Sequence, residues 1–351
     1  MSTSPRLVGP IGYGHSENVP NLFQALGISL IITTYQAQSV LCLAANGERM
    51  VMTQRYFERP TGAAYSGREL VVGTRRMIWR FTPTGALRRS DGGVLEHDLV
   101  LAPRQSHVTG DMLVHDLDFA GDTLVAVNTR FSCLCTFQPG YSFVPLWRPP
   151  FISGLTPDDR CHLNGVATNA DGPLYVTARA EADTAEGWRQ QETSSGFVMH
   201  VPSGEMVARG LVIPHSPRLH NERLYVLDSG RGELVCIDAA SGRRETVVRL
   251  PGFLRGLAFY DRFAFVGLCK ARENREFGGT PLDEMRDALQ CAVSVVDLAT
   301  GAEIARVTFT QGVEELFSVA VLPQARKPLL VGLEEDTIDG IFVVPPQVTA
   351  P

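Results

Sequence analysis

The sequence predicts an all-β chain folded as a six-bladed β-propeller, closed by N- and C-terminal strands. Glycine (33) and proline (22) punctuate short apolar runs along almost all of the 351 positions, which is the rhythm of strands and turns. A unit made of a small or polar residue, an apolar strand, a turn and a second apolar strand recurs six times. Its steps between Thr61 and Phe317 average about 51 residues, the size of a four-stranded blade. An Asp-x-x-Ser/Thr-Gly turn, at Asp238 to Gly242 and again at Asp297 to Gly301, joins the outer strands of two units.

In chain order, residues 1–27 read as an N-terminal segment with a helix signal at Asn21 to Leu26, and residues 28–346 as a single propeller domain. The runs Ser29 to Thr34, Ser39 to Ala44 and Met50 to Arg55 are outer strands with no inner strand before them, which suits a blade shared by both termini. Inner strands then begin at or just after Thr61, His115, Asn164, His215, Arg255 and Phe317. The second strands start near Leu70, Leu124, Leu174, Leu224, Phe263 and Leu329. Each blade buries its faces only against its neighbours, so the ring must close. The run Ile341 to Val344 is the argument for a seventh blade as the alternative. Pro281 to Gln290 carries the second helix signal.

Lys plus Arg number 32 and Asp plus Glu 38, a formal charge of −6 that argues against nucleic acid as a partner. The most apolar stretch, Leu26 to Ile32, is far short of the roughly 20 residues a membrane helix needs. Residues 1–14 have no pattern of a signal peptide. Seven cysteines without a C-x-x-C pair fit a reducing cytoplasm better than a disulfide scaffold.

In a propeller the inner strands start at one face beside the central channel, and the loop after each second strand returns to that face. The repeat therefore gathers His115, His215 and, just upstream of Asn164, His162. Neutral imidazoles are common ligands of zinc, iron and copper, and three of them leave a coordination position open. The expected cofactor is a divalent transition metal (Zn, Fe or Cu) held by His115, His162 and His215, with Asp116 orienting an imidazole. The alternative is histidines that line a wet channel.

Glu315, Glu314 and Arg255 are the candidate catalytic residues, and Asn164, Arg130, Arg231, Thr61 and Lys270 the candidate substrate-binding ones. The guanidinium groups of Arg255, Arg130 and Arg231 suit a carboxylate or phosphate, or else form salt bridges with Asp116, Asp228 and Glu315 across blades. Two long loops on the same face, Arg179 to Ser195 and Lys270 to Cys291, with hinges at Gly187-Trp188 and Gly278-Gly279, are candidate lids. Cys161, beside His162, is the candidate reactive thiol.

The segments Cys161-His162-Leu163-Asn164-Gly165, Pro214 to Arg218, Leu227 to Leu234 and Gly312-Val313-Glu314-Glu315 resemble a family of bacterial propeller proteins of unassigned function over nearly the whole chain. In architecture the chain also looks like the gluconolactonase-like and strictosidine synthase-like propellers. The first of these hold a divalent metal through acid and amide side chains, and the second work without metal around an acidic residue. Histidines stand here in place of those Asn, Asp and Glu ligands, which turns the expectation from calcium toward a transition metal.

The function expected is a metal-dependent enzyme, of hydrolase, lyase or isomerase type, acting on a small polar or carboxylated metabolite at the channel mouth. The alternatives are an iron or copper oxidoreductase and a non-catalytic binding module. The outer strand Phe143 to Trp147 leaves homo-oligomer formation open.

Overall fold

The computed structural model of the protein describes residues 9–84, 97–270, 279–333 and 336–342. It has six small sheets arranged in a ring, and the blades are numbered here from the one that joins the termini. Blade 1 takes its inner strand, Ser318–Pro323, from the C-terminal part and its three outer strands, Ile28–Thr34, Ser39–Asn46 and Arg49–Tyr56, from the N-terminal part. The inner strands of blades 2 to 6 are Ala63–Tyr65, Val114–Ala120, Leu163–Thr168, Pro214–His220 and Phe253–Tyr260. Each inner strand touches those of the two neighbouring blades, and the sixth touches the first. The chain is thus a six-bladed β-propeller. In the stretch read for a seventh blade, Ile341 and Phe342 form no strand, and Val343 and Val344 lie outside the described residues.

The ring is clasped on both sides of the shared blade. Gly12–His15 adds a fifth, antiparallel strand to the edge of blade 6 along Ala302–Gln311. Pro328–Leu330 runs parallel to Leu99–Val108 on the edge of blade 2. Both termini therefore cap edges that would otherwise be open to pairing. The N-terminal helix signal is met by Val19–Leu26, which ends at Gly27 in the left-handed conformation (φ 66°). Pro281–Ala288 forms a 3-10 helix.

Alternation along each strand builds the interfaces between blades. Ile28–Thr34 is buried along its whole length because both of its faces are covered. Leu30 and Ile32 pack with Phe265, Val293 and Val295 of blade 6, while Ile31 packs with Leu70, Val72 and Phe81 of blade 2.

Close to the axis the strands are held by two devices. The first is glycine on alternate blades: Gly62, Gly165 and Gly256 of blades 2, 4 and 6 lie against the inner strands of blades 3, 5 and 1. A Cβ on Gly62 would sit 2.9 Å from Leu117 N, one on Gly165 2.3 Å from Pro217 Cδ, and one on Gly256 2.7 Å from Val319 N. Gly256 in addition has φ 83°, a conformation that other residues rarely adopt.

The second device is a buried ion pair across the channel. Arg218 of blade 5 donates from Nη1 and Nη2 to the two carboxylate oxygens of Asp116 of blade 3, each at 2.7 Å. The same carboxylate accepts the Val166 N–H of blade 4 (3.2 Å), and Arg218 Nη1 donates to Val166 O (2.9 Å). Three blades are joined by two side chains. Asp116 consequently does not orient an imidazole, as its position beside His115 suggested; its oxygens are committed to Arg218 and to backbone.

Removing one member leaves the other buried without compensation, which costs about 3–5 kcal/mol. Asp116→Asn should lower the free energy of unfolding in urea by that order, and Asp116→Leu combined with Arg218→Met should recover most of the loss.

Candidate functional site

Three inner strands are entered through a non-glycine residue in the left-handed region: Leu113 (φ 52°), His162 (φ 51°) and Ile213 (φ 52°), immediately before the strands of blades 3, 4 and 5. Such a conformation costs about 1–2 kcal/mol per residue. In blades 3 and 5 the turn brings a carbonyl back onto the histidine two residues on. His115 Nδ1 lies 3.2 Å from Leu113 O, and His215 Nδ1 lies 3.0 Å from Ile213 O.

Hydroxyls at matching places complete the contact. Thr129 Oγ1 donates to Leu163 O (2.5 Å), so it accepts from His115 Nδ1 at 2.8 Å. Ser229 Oγ donates to Leu227 O (3.3 Å) and lies 3.1 Å from His215 Nδ1. Carbonyls accept only, so Nδ1 carries the proton in both rings and Nε2 the lone pair.

His162 enters differently, because Asn164 occupies the place in blade 4 that His115 and His215 hold in theirs. His162 is itself the left-handed residue of the turn. Its Nδ1 is 2.9 Å from Asp159 Oδ2, which also accepts the Trp188 Nε1–H at 3.1 Å. The Trp188 ring covers His162 at 4.4 Å between centroids, and the Arg189 guanidinium lies 4.2 Å from the Trp188 ring on the long loop that follows blade 4's second strand. The ring of His115 is 4.8 Å from that of His162 and 6.3 Å from that of His215. Arg255 lies over the ring of Phe317 at 3.8 Å and donates to Glu315 Oε1 at 3.2 Å.

These groups line a cavity of about 630 Å³ at the mouth where the inner strands begin. Burial, then the charges of His162 and Arg255, push the pKa of His115 well below the ordinary histidine value; burial and then Arg255 do the same to His215. Both rings are therefore neutral at neutral pH.

Of the residues singled out in the sequence, His115, His162, His215, Thr61, Arg130 and Arg255 line this cavity. Glu315, Glu314, Asn164, Arg231 and Lys270 are not among its lining residues. Glu315 is buried behind the wall against Arg255, and Glu314 and Lys270 are exposed. Asn164 is buried and accepts from Thr177 Oγ1 (2.8 Å), and Arg231 pairs with Asp228 at 2.5 Å. Cys161 is fully buried, and desolvation pushes its thiol up to about 12, which makes it inert as a nucleophile.

The loop over Arg179 to Ser195 forms one wall through Glu186, Trp188 and Arg189. Its Thr193 Oγ1 donates to Gly279 O (2.9 Å) in the second long loop. Gly278 of that loop lies outside the described residues.

The sequence places Arg179 on the loop that returns to this face but gives it no role; it passes over Asp159 and Tyr35 as cavity residues and takes Trp188 only for a hinge. Asp159 was findable as a carboxylate three positions before a histidine. Among the described residues, no group of three or more His, Cys, Asp or Glu side chains could hold a metal ion as they stand. Also among them, no helix is long and apolar enough to cross a membrane.

Fold and site together define a six-bladed propeller with an imidazole- and guanidinium-lined cavity at one channel mouth. Residues 17–331 match the family described as Domain of unknown function (DUF4915), and the chain belongs to that family. No curated protein matches it.

Among solved structures it is similar to a chain of the crystal structure of a Nidogen/Laminin complex. The identity is 14% and the TM-score 0.55, over 85% of this chain and 99% of that one. It is also similar to a protein of unknown function from Bacteroides caccae, at 12% identity and TM-score 0.50 over 84% and 98% of the two chains. At such identities the likeness is one of fold alone.

The lowered pKa values of His115 and His215 link stability to pH. Below about 6.5 the unfolded chain takes up protons on these imidazoles that the folded chain refuses, so stability is full above that pH and falls as the pH drops. The free energy of unfolding in urea, measured from pH 7.5 to 5, should decrease, by at most about 1.4 kcal/mol per pH unit for each imidazole. His115→Gln and His215→Gln should each flatten the profile.

Proposed function

We propose that the protein is an enzyme that moves a proton on a small polar or carboxylated metabolite bound in this cavity, chemistry of the hydrolase, lyase or isomerase kind. The observation that carries the reading is the His162–Asp159 pair. A carboxylate on Nδ1 fixes the tautomer, leaves Nε2 as the base and stabilises the imidazolium formed when that base takes a proton. Trp188 holds the carboxylate from the other side and shields the pair from water. Arg255, buried beside the neutral rings and held by Glu315, supplies fixed positive charge for an oxyanion that develops on the substrate. All seven cysteines are buried and none is in a disulfide, which supports a reducing cytoplasm as the site of action.

A transition metal on the Nε2 atoms of His115, His162 and His215 is the second reading, with hydrolytic chemistry for zinc and redox chemistry for iron or copper. It is favoured by one observation: every Nδ1 is already engaged by carbonyl, hydroxyl or carboxylate, as in histidines that ligate through the other nitrogen. It requires the rings to turn toward a common point.

Screening lactones, 2-oxo acids and hydroxy acids by NMR in deuterium oxide reads hydrolysis, elimination and proton exchange together. Turnover of one class is expected, falling by about 100-fold or more in His162→Gln and by about 10-fold or more in Asp159→Asn. Equal turnover in wild type and His162→Gln would remove the dyad from the chemistry. Elemental analysis of protein purified without chelator should find far less than one equivalent of metal. A full equivalent, lost in His115→Ala and His215→Ala, would transfer the role to the ion.

A further inference from the structure

Four guanidinium groups line the cavity, and three of them have a carboxylate of their own. Arg130 Nη2 is 3.7 Å from Asp111 Oδ1, Arg189 Nε is 3.3 Å from Glu186 Oε2 and Arg255 Nη1 is 3.2 Å from Glu315 Oε1. Arg179 has none among the described residues. It is 5% exposed, deeper than Arg130 or Arg189, and its Nη1 donates to two carbonyls, Glu192 O at 2.8 Å and Thr193 O at 2.9 Å. Nε is buried without a partner among the described residues. Burial alone lowers its pKa to about 10, still far above neutrality, so the group remains a cation.

A buried cation without a counter-charge costs free energy that carbonyl dipoles offset only in part. With both protons of Nη1 committed, the edge formed by Nε and Nη2 is left, and that edge carries the two parallel donors that fit a carboxylate or phosphate.

The position of this edge is fixed by the backbone. Arg179 follows the second strand of blade 4, and its N–H donates to Cys161 O and His162 O, both at 3.2 Å. The anchor and the His162–Asp159 pair therefore share one turn. Thr61 Oγ1, buried and without a partner among the described residues, lines the same cavity as a further donor.

We infer that Arg179 is the anchor for one oxyanion of the ligand, a carboxylate or a phosphate, which brings the counter-charge that Arg179 lacks among the described residues. The inference rests on the proposal that the cavity takes a small metabolite, and it adds the class: an anionic one, oriented by its charged end toward Arg179. Arg130 and Arg255 already have acids of their own. The carbonyls that hold Nη1 belong to the long loop over the cavity, so the seat of the anion is made by scaffold and loop together.

The test is saturable binding of sodium acetate and of inorganic phosphate to the full chain, at constant ionic strength and pH 7.5, followed by calorimetry and by thermal unfolding. At least one of the two should bind and raise the melting temperature. Binding should weaken at least tenfold in Arg179→Gln, less in Arg179→Lys, and not in Arg68→Gln, an exposed arginine with the same loss of charge. Acetate alone marks a carboxylate ligand, and phosphate alone a phosphorylated one.

No saturable binding of either anion, or wild-type affinity in Arg179→Gln, overturns the inference. If Arg179→Gln does not fold, wild-type affinity in Arg179→Lys, which keeps the charge and loses the paired edge, overturns it as well. Anion binding that persists while His162→Gln keeps full turnover would leave Arg179 as the anchor and remove the proposed proton chemistry. Turnover that depends on His162, with no anion bound, would do the reverse.

Discussion

Six inner strands must share one axis, and the crowding that follows governs what the channel can carry. The strands approach so closely that a side chain is excluded at every second blade, where Gly62, Gly165 and Gly256 stand. The residues facing them are Asp116, Ser216 and Ser318, so the six blades fall into three pairs rather than six equal units. One position earlier the same alternation gives Thr61, Asn164 and Arg255 on the glycine blades and His115, His215 and Phe317 on the others. Three ring-bearing residues thus stand at equivalent places. In one of them carbon replaces nitrogen: Phe317 offers Arg255 a π-face where an imidazole would offer a lone pair.

That substitution explains why the mouth does not have the simple trigonal set of imidazoles suggested by the spacing. Two histidines belong to the threefold pattern and the third, His162, comes from the turn before blade 4. The turns show why the local geometry is nonetheless shared. Leu113, His162 and Ile213 take the same left-handed conformation before successive inner strands. In blades 3 and 5 its product is a carbonyl on Nδ1 of the histidine two residues on, whereas in blade 4 the strained residue is itself the histidine and it finds Asp159 instead. One backbone device serves two chemical ends.

The repeat length, the ring of six and the shared blade were legible in the sequence because each depends on local alternation and on turn residues, which a single chain displays directly. That His115 and His215 meet at one mouth was legible for the same reason, since equivalent strand starts in a closed ring converge, and His162 was placed beside them by its position two residues before Asn164. What could not be read was pairing at long range. Asp116 and Arg218 are 102 positions apart, and only the coordinates place them in contact. Glu315 precedes an inner strand like the other candidates, yet it turns behind the wall to hold Arg255. The ion-pair alternative for the arginines, by contrast, was open in the sequence, and it is the one met by Arg231 with Asp228 and by Arg255 with Glu315. The two-blade alternation was visible in Thr61-Gly62, Asn164-Gly165 and Arg255-Gly256, but a search for six equal units conceals a period of two.

The two ends of the channel differ in how completely their polar groups are satisfied, and this difference locates function better than shape does. At the far mouth a cavity of about 560 Å³ contains Asp118, Thr168 and Arg218. Asp118 accepts Phe119 N–H on one oxygen and both Thr168 N–H and Thr168 Oγ1 on the other, and Arg218 is saturated by Asp116 and carbonyls. At the near mouth, strained residues, the neutral rings of His115 and His215, and donors of Thr61 and Arg179 that have no partner among the described residues lie within one cavity. A closed ring of hydrophobic blade interfaces can sustain such a concentration of unfavourable terms because each blade is fixed by two neighbours. The Asp116–Arg218 pair lies between the two ends, so the rigid, satisfied half of the channel is the support on which the unsatisfied half is held open.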